Sequence, residues 1–129
     1  MRDFQATKNN PYVLPATLYK RVIALVRDYD RLKGEYYEIL HGSAARPDGQ
    51  PRGTQKSCPT ERKAVRLSLI SAELKAVEQA MIIVPHEYRE GVRGNIVYQV
   101  RYPDDAGERT YKRWKQRFIY NVAVNMNYL

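Results

Sequence analysis

The sequence predicts an all-α protein: an antiparallel hairpin of two long helices, followed by a C-terminal helical, helix-turn-helix-like unit. Three observations carry this prediction. Apolar residues recur at alternating spacings of three and four over two long stretches, the pattern of helices that bury one stripe. A proline opens each of the first three expected helices, at Pro15, Pro59 and Pro85, where a fixed φ and a missing N–H suit a helix start. A final stretch, residues 104–128, sets apolar residues on one helical face and cations on another.

Residues 1–14 are polar, carry Pro11 and run into Pro15, so they are expected to form a flexible arm. The hairpin is expected over residues 15–84. Its first helix, 15–40, carries the seam Leu18, Val22, Leu25, Tyr29, Leu32, Tyr36 and Ile39, a heptad pattern. Gly34 costs that helix about 1 kcal/mol relative to alanine, so packing rather than propensity must hold it. His41-Gly42 ends it, with Gly42 suited to a left-handed cap.

Residues 42–58 read as a linker, with a turn at Pro47-Asp48-Gly49. Arg46, Arg52 and Lys56 make it mildly basic, but it lacks the Gly-Lys-Ser/Thr ending of a phosphate loop.

The second helix, 59–84, has two apolar stripes. Leu67, Ile70, Leu74, Val77, Met81 and Val84 form a heptad seam; Val65, Leu69, Ala72, Ala76, Ala80 and Ile83 form another beside it. Two stripes require two partners. The first helix is one, and the C-terminal unit or a second copy of the chain is the other. The surplus of apolar surface predicts a dimer or higher symmetric oligomer.

The C-terminal unit is expected over 85–129. Tyr88, Val92 and Ile96 share a face after Pro85, while Gly91 and Gly94 lower helix propensity and permit close crossing. Residues 99–106, with Pro103, form a turn. In the closing helix Tyr111, Trp114, Phe118, Val122 and Met126 point inward, and Arg109, Lys112, Arg113, Gln116 and Tyr120 lie on another face. Asp104, Asp105 and Glu108 are expected in its first turn, with Asp105 and Glu108 at capping-box spacing. Residues 109–117 hold five cations and no acid. A basic face of this kind can lie on phosphates or enter a major groove.

Net charge is +8 with 28% charged residues, a balance that favours anionic partners, nucleic acid or an acidic protein surface. The single cysteine, Cys58, excludes an internal disulfide and points to a reducing cytosol. No stretch has the pattern of a signal peptide or the length of a membrane helix, so no membrane partner is expected. Catalytic patterns are missing. His41 and His86 have no metal-ligand spacing, and nothing around Cys58 supports a nucleophile. The expectation is a protein that is not an enzyme and takes no metal or cofactor.

Four stretches resemble the RinA/ArpU-like late-gene transcriptional regulators of phages and prophages of Gram-positive bacteria. They are Asp28-Tyr29-Asp30-Arg31-Leu32; the Gly/Pro loop into Pro59-Thr60-Glu61; Ile83-Val84-Pro85-His86-Glu87-Tyr88-Arg89; and Ala106-Gly107-Glu108-Arg109-Thr110-Tyr111-Lys112-Arg113-Trp114-Lys115. The last is similar to the turn and recognition helix of a sigma-factor region-4-like helix-turn-helix. The resemblance implies that Thr110, Tyr111, Arg113, Trp114 and Arg117 lie on a recognition helix. Gly91, Gly94 and Pro103 depart from the regular helix that pattern expects before its turn.

The reading is therefore a DNA-binding, oligomeric phage or prophage transcriptional regulator in the cytoplasm of a bacterial host, with host RNA polymerase as a further implied partner. The residues expected at DNA are Arg109, Thr110, Lys112, Arg113, Lys115 and Arg117. Two alternatives stand beside it: a small oligomeric phage assembly or DNA-packaging protein, and a protein-directed inhibitor with a basic face.

Overall fold

The structure, a computed structural model, describes residues 10–42 and 58–129. Within them the chain is all-helical: α1 (Ala16–Arg27), α2 (Tyr29–Tyr37), α3 (Cys58–Ile83), α4 (His86–Tyr98) and α5 (Glu108–Asn125). The first nine residues of the expected arm and residues 43–57 of the expected linker lie outside the described residues.

The single first helix expected over 15–40 is interrupted by a turn at Asp28, whose φ of −90° and ψ of 0° stand at the edge of the right-handed helical region. Backbone hydrogen bonds still bracket the break, from Asp28 N–H to Ala24 O and from Leu32 N–H to Asp28 O, so α2 follows directly on α1. Arg31 donates to both oxygens of the Asp28 carboxylate at 2.6 Å, and those bonds hold it below its usual pKa. After α2 the chain widens into a π-helical turn, Glu38–Gly42. Every residue of the expected seam between positions 18 and 39 is buried or half-buried.

The hairpin partner of α3 is α2. Glu35, late in α2, takes Arg66 Nε at 2.7 Å early in α3, and the Tyr29 hydroxyl, at the start of α2, donates to Glu78 late in α3. Those two links run antiparallel. α1 instead packs on α4 and α5. Arg27 Nε donates to the Ile96 carbonyl at 2.8 Å, and Arg93 pairs with Asp30 at 2.8 Å, fastening the α1–α2 junction to α4.

α5 lies against α1, α3 and α4 and occupies the centre. Tyr111, Phe118, Ile119, Val122 and Ala123 are buried in it, in one continuous core with Val22, Val26, Ile70, Val77, Val92 and Ile96. The burial of those side chains is the main favourable term in assembling the five helices. α5 also covers part of the second stripe of α3: Ala76 and Ala80 are buried, and Asn125 Nδ2 donates to the Ala76 carbonyl at 3.1 Å. The helix closes where Asn127 takes a left-handed φ of 60°, with Tyr128 N–H on Ala123 O and Asn127 N–H on Val124 O.

Two expectations need correction. The chain before Pro15 is not loose throughout: Leu14 is buried in the core and Tyr12 packs on α5. The helix before the turn is not interrupted by glycine either, because α4 runs unbroken through Gly91 and Gly94. The reason at Gly91 is close approach: a Cβ there would stand 2.8 Å from Pro103 Cδ and overlap the Tyr111 ring.

Candidate nucleic-acid interface

The geometry of α5 starts with its N-terminus. Gly107 is the N-cap, with extended φ and ψ of −68° and 149°, and no side chain caps the helix. The expected capping box does not form. Asp104 and Asp105 lie in the turn ahead of the helix, and Asp105 is engaged elsewhere: the Tyr111 hydroxyl donates to its Oδ1 at 2.5 Å. Only Glu108 remains in the first turn, where it pairs with Lys112 at 3.6 Å.

Tyr111 fixes the first turns of α5 against α4. Its ring stacks on Tyr102 at 5.1 Å and 12°, and meets Tyr88 edge-on at 5.3 Å. Burial, then the Asp105 carboxylate, pushes the Tyr111 phenol up to about 12, and burial pushes Tyr102 to about 12. Both phenols normally ionise near 10. The folded state therefore keeps protons that the unfolded chain releases above that pH. Their contribution to stability should be complete below about pH 10 and be lost as pH rises from about 10 to 12. Melting temperatures measured by circular dichroism at about pH 9, 10 and 11 should fall across this window, and Tyr111→Phe should flatten the fall.

The six residues expected at nucleic acid do not share one surface. Arg109, Arg113 and Arg117 stand at i, i+4 and i+8, one ridge of α5. Arg109 and Arg113 are exposed, and among the described residues neither has an acidic partner. Lys112 is exposed on the adjoining row and tied to Glu108. Thr110 is half-buried, its N–H bonded to Gly107 O. Lys115 is turned away from the ridge: its Nζ donates to Asn95 Oδ1 of α4 at 2.9 Å, and Asn95 Nδ2 donates to Val100 O at 2.8 Å. That side chain bridges α4 and the following loop.

Arg117 is the most constrained of the three ridge arginines. Its guanidinium lies over the Tyr12 ring at 5.4 Å and over the Trp114 ring at 5.1 Å, and its Nε is buried with no hydrogen-bond partner among the described residues. Two aromatic faces hold the cation in place without an acid of the described residues to compensate it. Trp114, expected inside, is half-buried and supports this arginine.

Gln116, expected on the solvent face, is buried; its Nε2 donates to the Tyr12 carbonyl at 2.7 Å. Tyr120 is half-buried, with the Tyr12 ring edge-on at 5.3 Å. The segment 10–14 therefore covers the side of α5 next to the ridge. Tyr12 is the site residue that sequence reasoning missed. Its partners lie more than a hundred positions away, so no local spacing signals it.

α4 and α5 are joined by residues 99–107, a longer connection than the three- or four-residue turn of a compact helix-turn-helix. Among the described residues no helix is long and apolar enough to cross a membrane, and no group of His, Cys, Asp and Glu is placed to hold a metal ion. No family model, curated protein or solved structure matches the chain.

Proposed function

We propose that this chain is a DNA-binding transcriptional regulator of phage or prophage origin, acting as an oligomer in the bacterial cytoplasm. The observation that carries the reading is the ridge Arg109, Arg113 and Arg117, three cations on one helix without acidic partners among the described residues, on a helix whose apolar face is packed into the core. The helix that carries the ridge is fixed in the core before binding, and Arg117 is already held between Tyr12 and Trp114. Contacts to a phosphate backbone would then need only the exposed side chains of Arg109 and Arg113 to be ordered, and an arginine at the edge of the ridge can also meet a guanine in the major groove. A net charge of +8 and the sequence resemblance to RinA/ArpU-like regulators support the same reading.

The ridge arginines are the proposed contacts. Lys112 and Thr110 flank them, and Lys115 acts within the fold. The test is competition binding: a duplex selected from a random pool should be retained against an excess of random duplex at moderate salt. Binding that shows no preference among sequences would favour a packaging or assembly role. Failure to bind any duplex, with capture of an acidic protein instead, would favour the inhibitor.

A further inference from the structure

Two segments of the chain contain no Asp or Glu: residues 10–27 and residues 109–129. Between them they hold eight Lys and Arg. The other fourteen Lys and Arg are matched by the fourteen Asp and Glu of the rest of the chain, so the formal excess of +8 resides on these two segments. The fold brings the two together, because α1 packs on α5.

They run in the same direction. Tyr12 lies beside Gln116 and Tyr120, and further along Arg21 of α1 stands over the Tyr128 ring at 4.9 Å, just past the end of α5. Each segment thus places a tyrosine under an arginine of the other: Tyr12 under Arg117, and Tyr128 under Arg21. An aromatic face orients a guanidinium without neutralising it. Three of the cations are engaged elsewhere: Arg27 and Lys115 turn to α4, and Lys112 meets Glu108. Lys20 and Arg21 are exposed, and among the described residues neither has an acidic partner, as for Arg109 and Arg113.

We propose that the nucleic-acid surface continues from the α5 ridge onto α1, with Lys20 and Arg21 taking phosphates of the same duplex at the C-terminal end of α5. The extension rests on the DNA-binding reading above. With 18 residues α5 is about 27 Å long, and unpaired cations stand from its first turn to beyond its last. A duplex lying along it carries about one negative charge per 1.7 Å of axis, so phosphates are on offer at both ends of the surface. Contact through α5 alone would leave Lys20 and Arg21 in solvent with no anion to meet. The exposed lysines of α3, Lys63 and Lys75, are placed differently, since they share their helix with Glu61, Glu73 and Glu78.

The test is the salt dependence of binding to one duplex by the whole chain and its variants, with melts by circular dichroism alongside. Lys20→Ala with Arg21→Ala should flatten the slope of log affinity against log salt by roughly two units per subunit, at about 0.9 per phosphate, and leave the base preference unchanged. Arg21→Lys should keep the slope, because lysine retains the charge that a phosphate contact needs. Lys63→Ala with Lys75→Ala removes as much charge from α3 and should leave the slope unchanged. A slope indifferent to Lys20→Ala/Arg21→Ala but flattened by Arg109→Ala/Arg113→Ala would overturn the extension and leave the α5 reading standing. Equal flattening by Lys63→Ala/Lys75→Ala would overturn it too, since binding would then follow total charge rather than this face. So would a slope lost in Arg21→Lys, which would point to packing on Tyr128 instead of charge. If neither the α1 pair nor the α5 pair moves the slope, the DNA-binding reading falls with the extension.

Discussion

Phe118→Ala should be the most damaging single truncation in α5. Phe118 is fully buried, on the helix that touches α1, α3 and α4 together. Removing a buried phenyl ring costs about 3–5 kcal/mol through lost transfer energy and the cavity left behind, and three separate helices cannot all close on one void. Against a total stability of about 5–15 kcal/mol for a domain, that loss removes a large share. The checks are the urea midpoint and the melting temperature by circular dichroism. A midpoint within error of wild type would mean that α5 is not the centre of the core. DNA binding should fall with the folded fraction and recover on cooling, because the arginine ridge is only a ridge while its opposite face is packed.

That dependence also explains what can be read from the residues alone. The seams of α1–α2 and α3 are legible because their burial follows helical period: Val22, Leu25, Leu32, Ile70, Leu74 and Val77 all fall inside where their spacing puts them. The existence of a basic helix at the C-terminus is legible for the same reason. What spacing does not contain is the identity of the neighbour. Ile119 and Ala123 are as buried as Phe118 because α5 is enclosed on several sides, whereas the sequence pattern allows it one inward face. Gln116 is inside because a backbone carbonyl from Tyr12 reaches it across the fold. Lys115 leaves the charged surface because Asn95 offers an acceptor. Both polar departures are long-range contacts, and each removes a residue from the uniform polar face that the local pattern suggests.

Arg109→Ala with Arg113→Ala should weaken duplex binding and leave folding intact, since both side chains are exposed and neither has an acidic partner among the described residues. Each phosphate neutralised by the protein adds about 0.9 to the dependence of log affinity on log salt, so the double variant should flatten that slope by roughly two units per subunit if both contacts are to phosphate. If one of the two instead reads guanine, its loss should cost about 1–3 kcal/mol at a single base position and relax preference there. Arg113→Lys separates these cases, because lysine keeps a phosphate contact but loses the paired geometry that guanine requires. Lys115→Met supplies the contrast on the same helix. Its amine is occupied by Asn95, so it should disturb the α4–α5 contact and leave the salt slope unchanged. Arg117→Ala should lower the slope by about one unit and also loosen Tyr12 and Trp114, whose rings its guanidinium spans. Salt-dependent binding of all four variants to one duplex, with thermal melts alongside, distinguishes the outcomes. An affinity and slope untouched by Arg109→Ala/Arg113→Ala would leave the most basic helix of the chain without a nucleic-acid role and would shift the reading to assembly or inhibition.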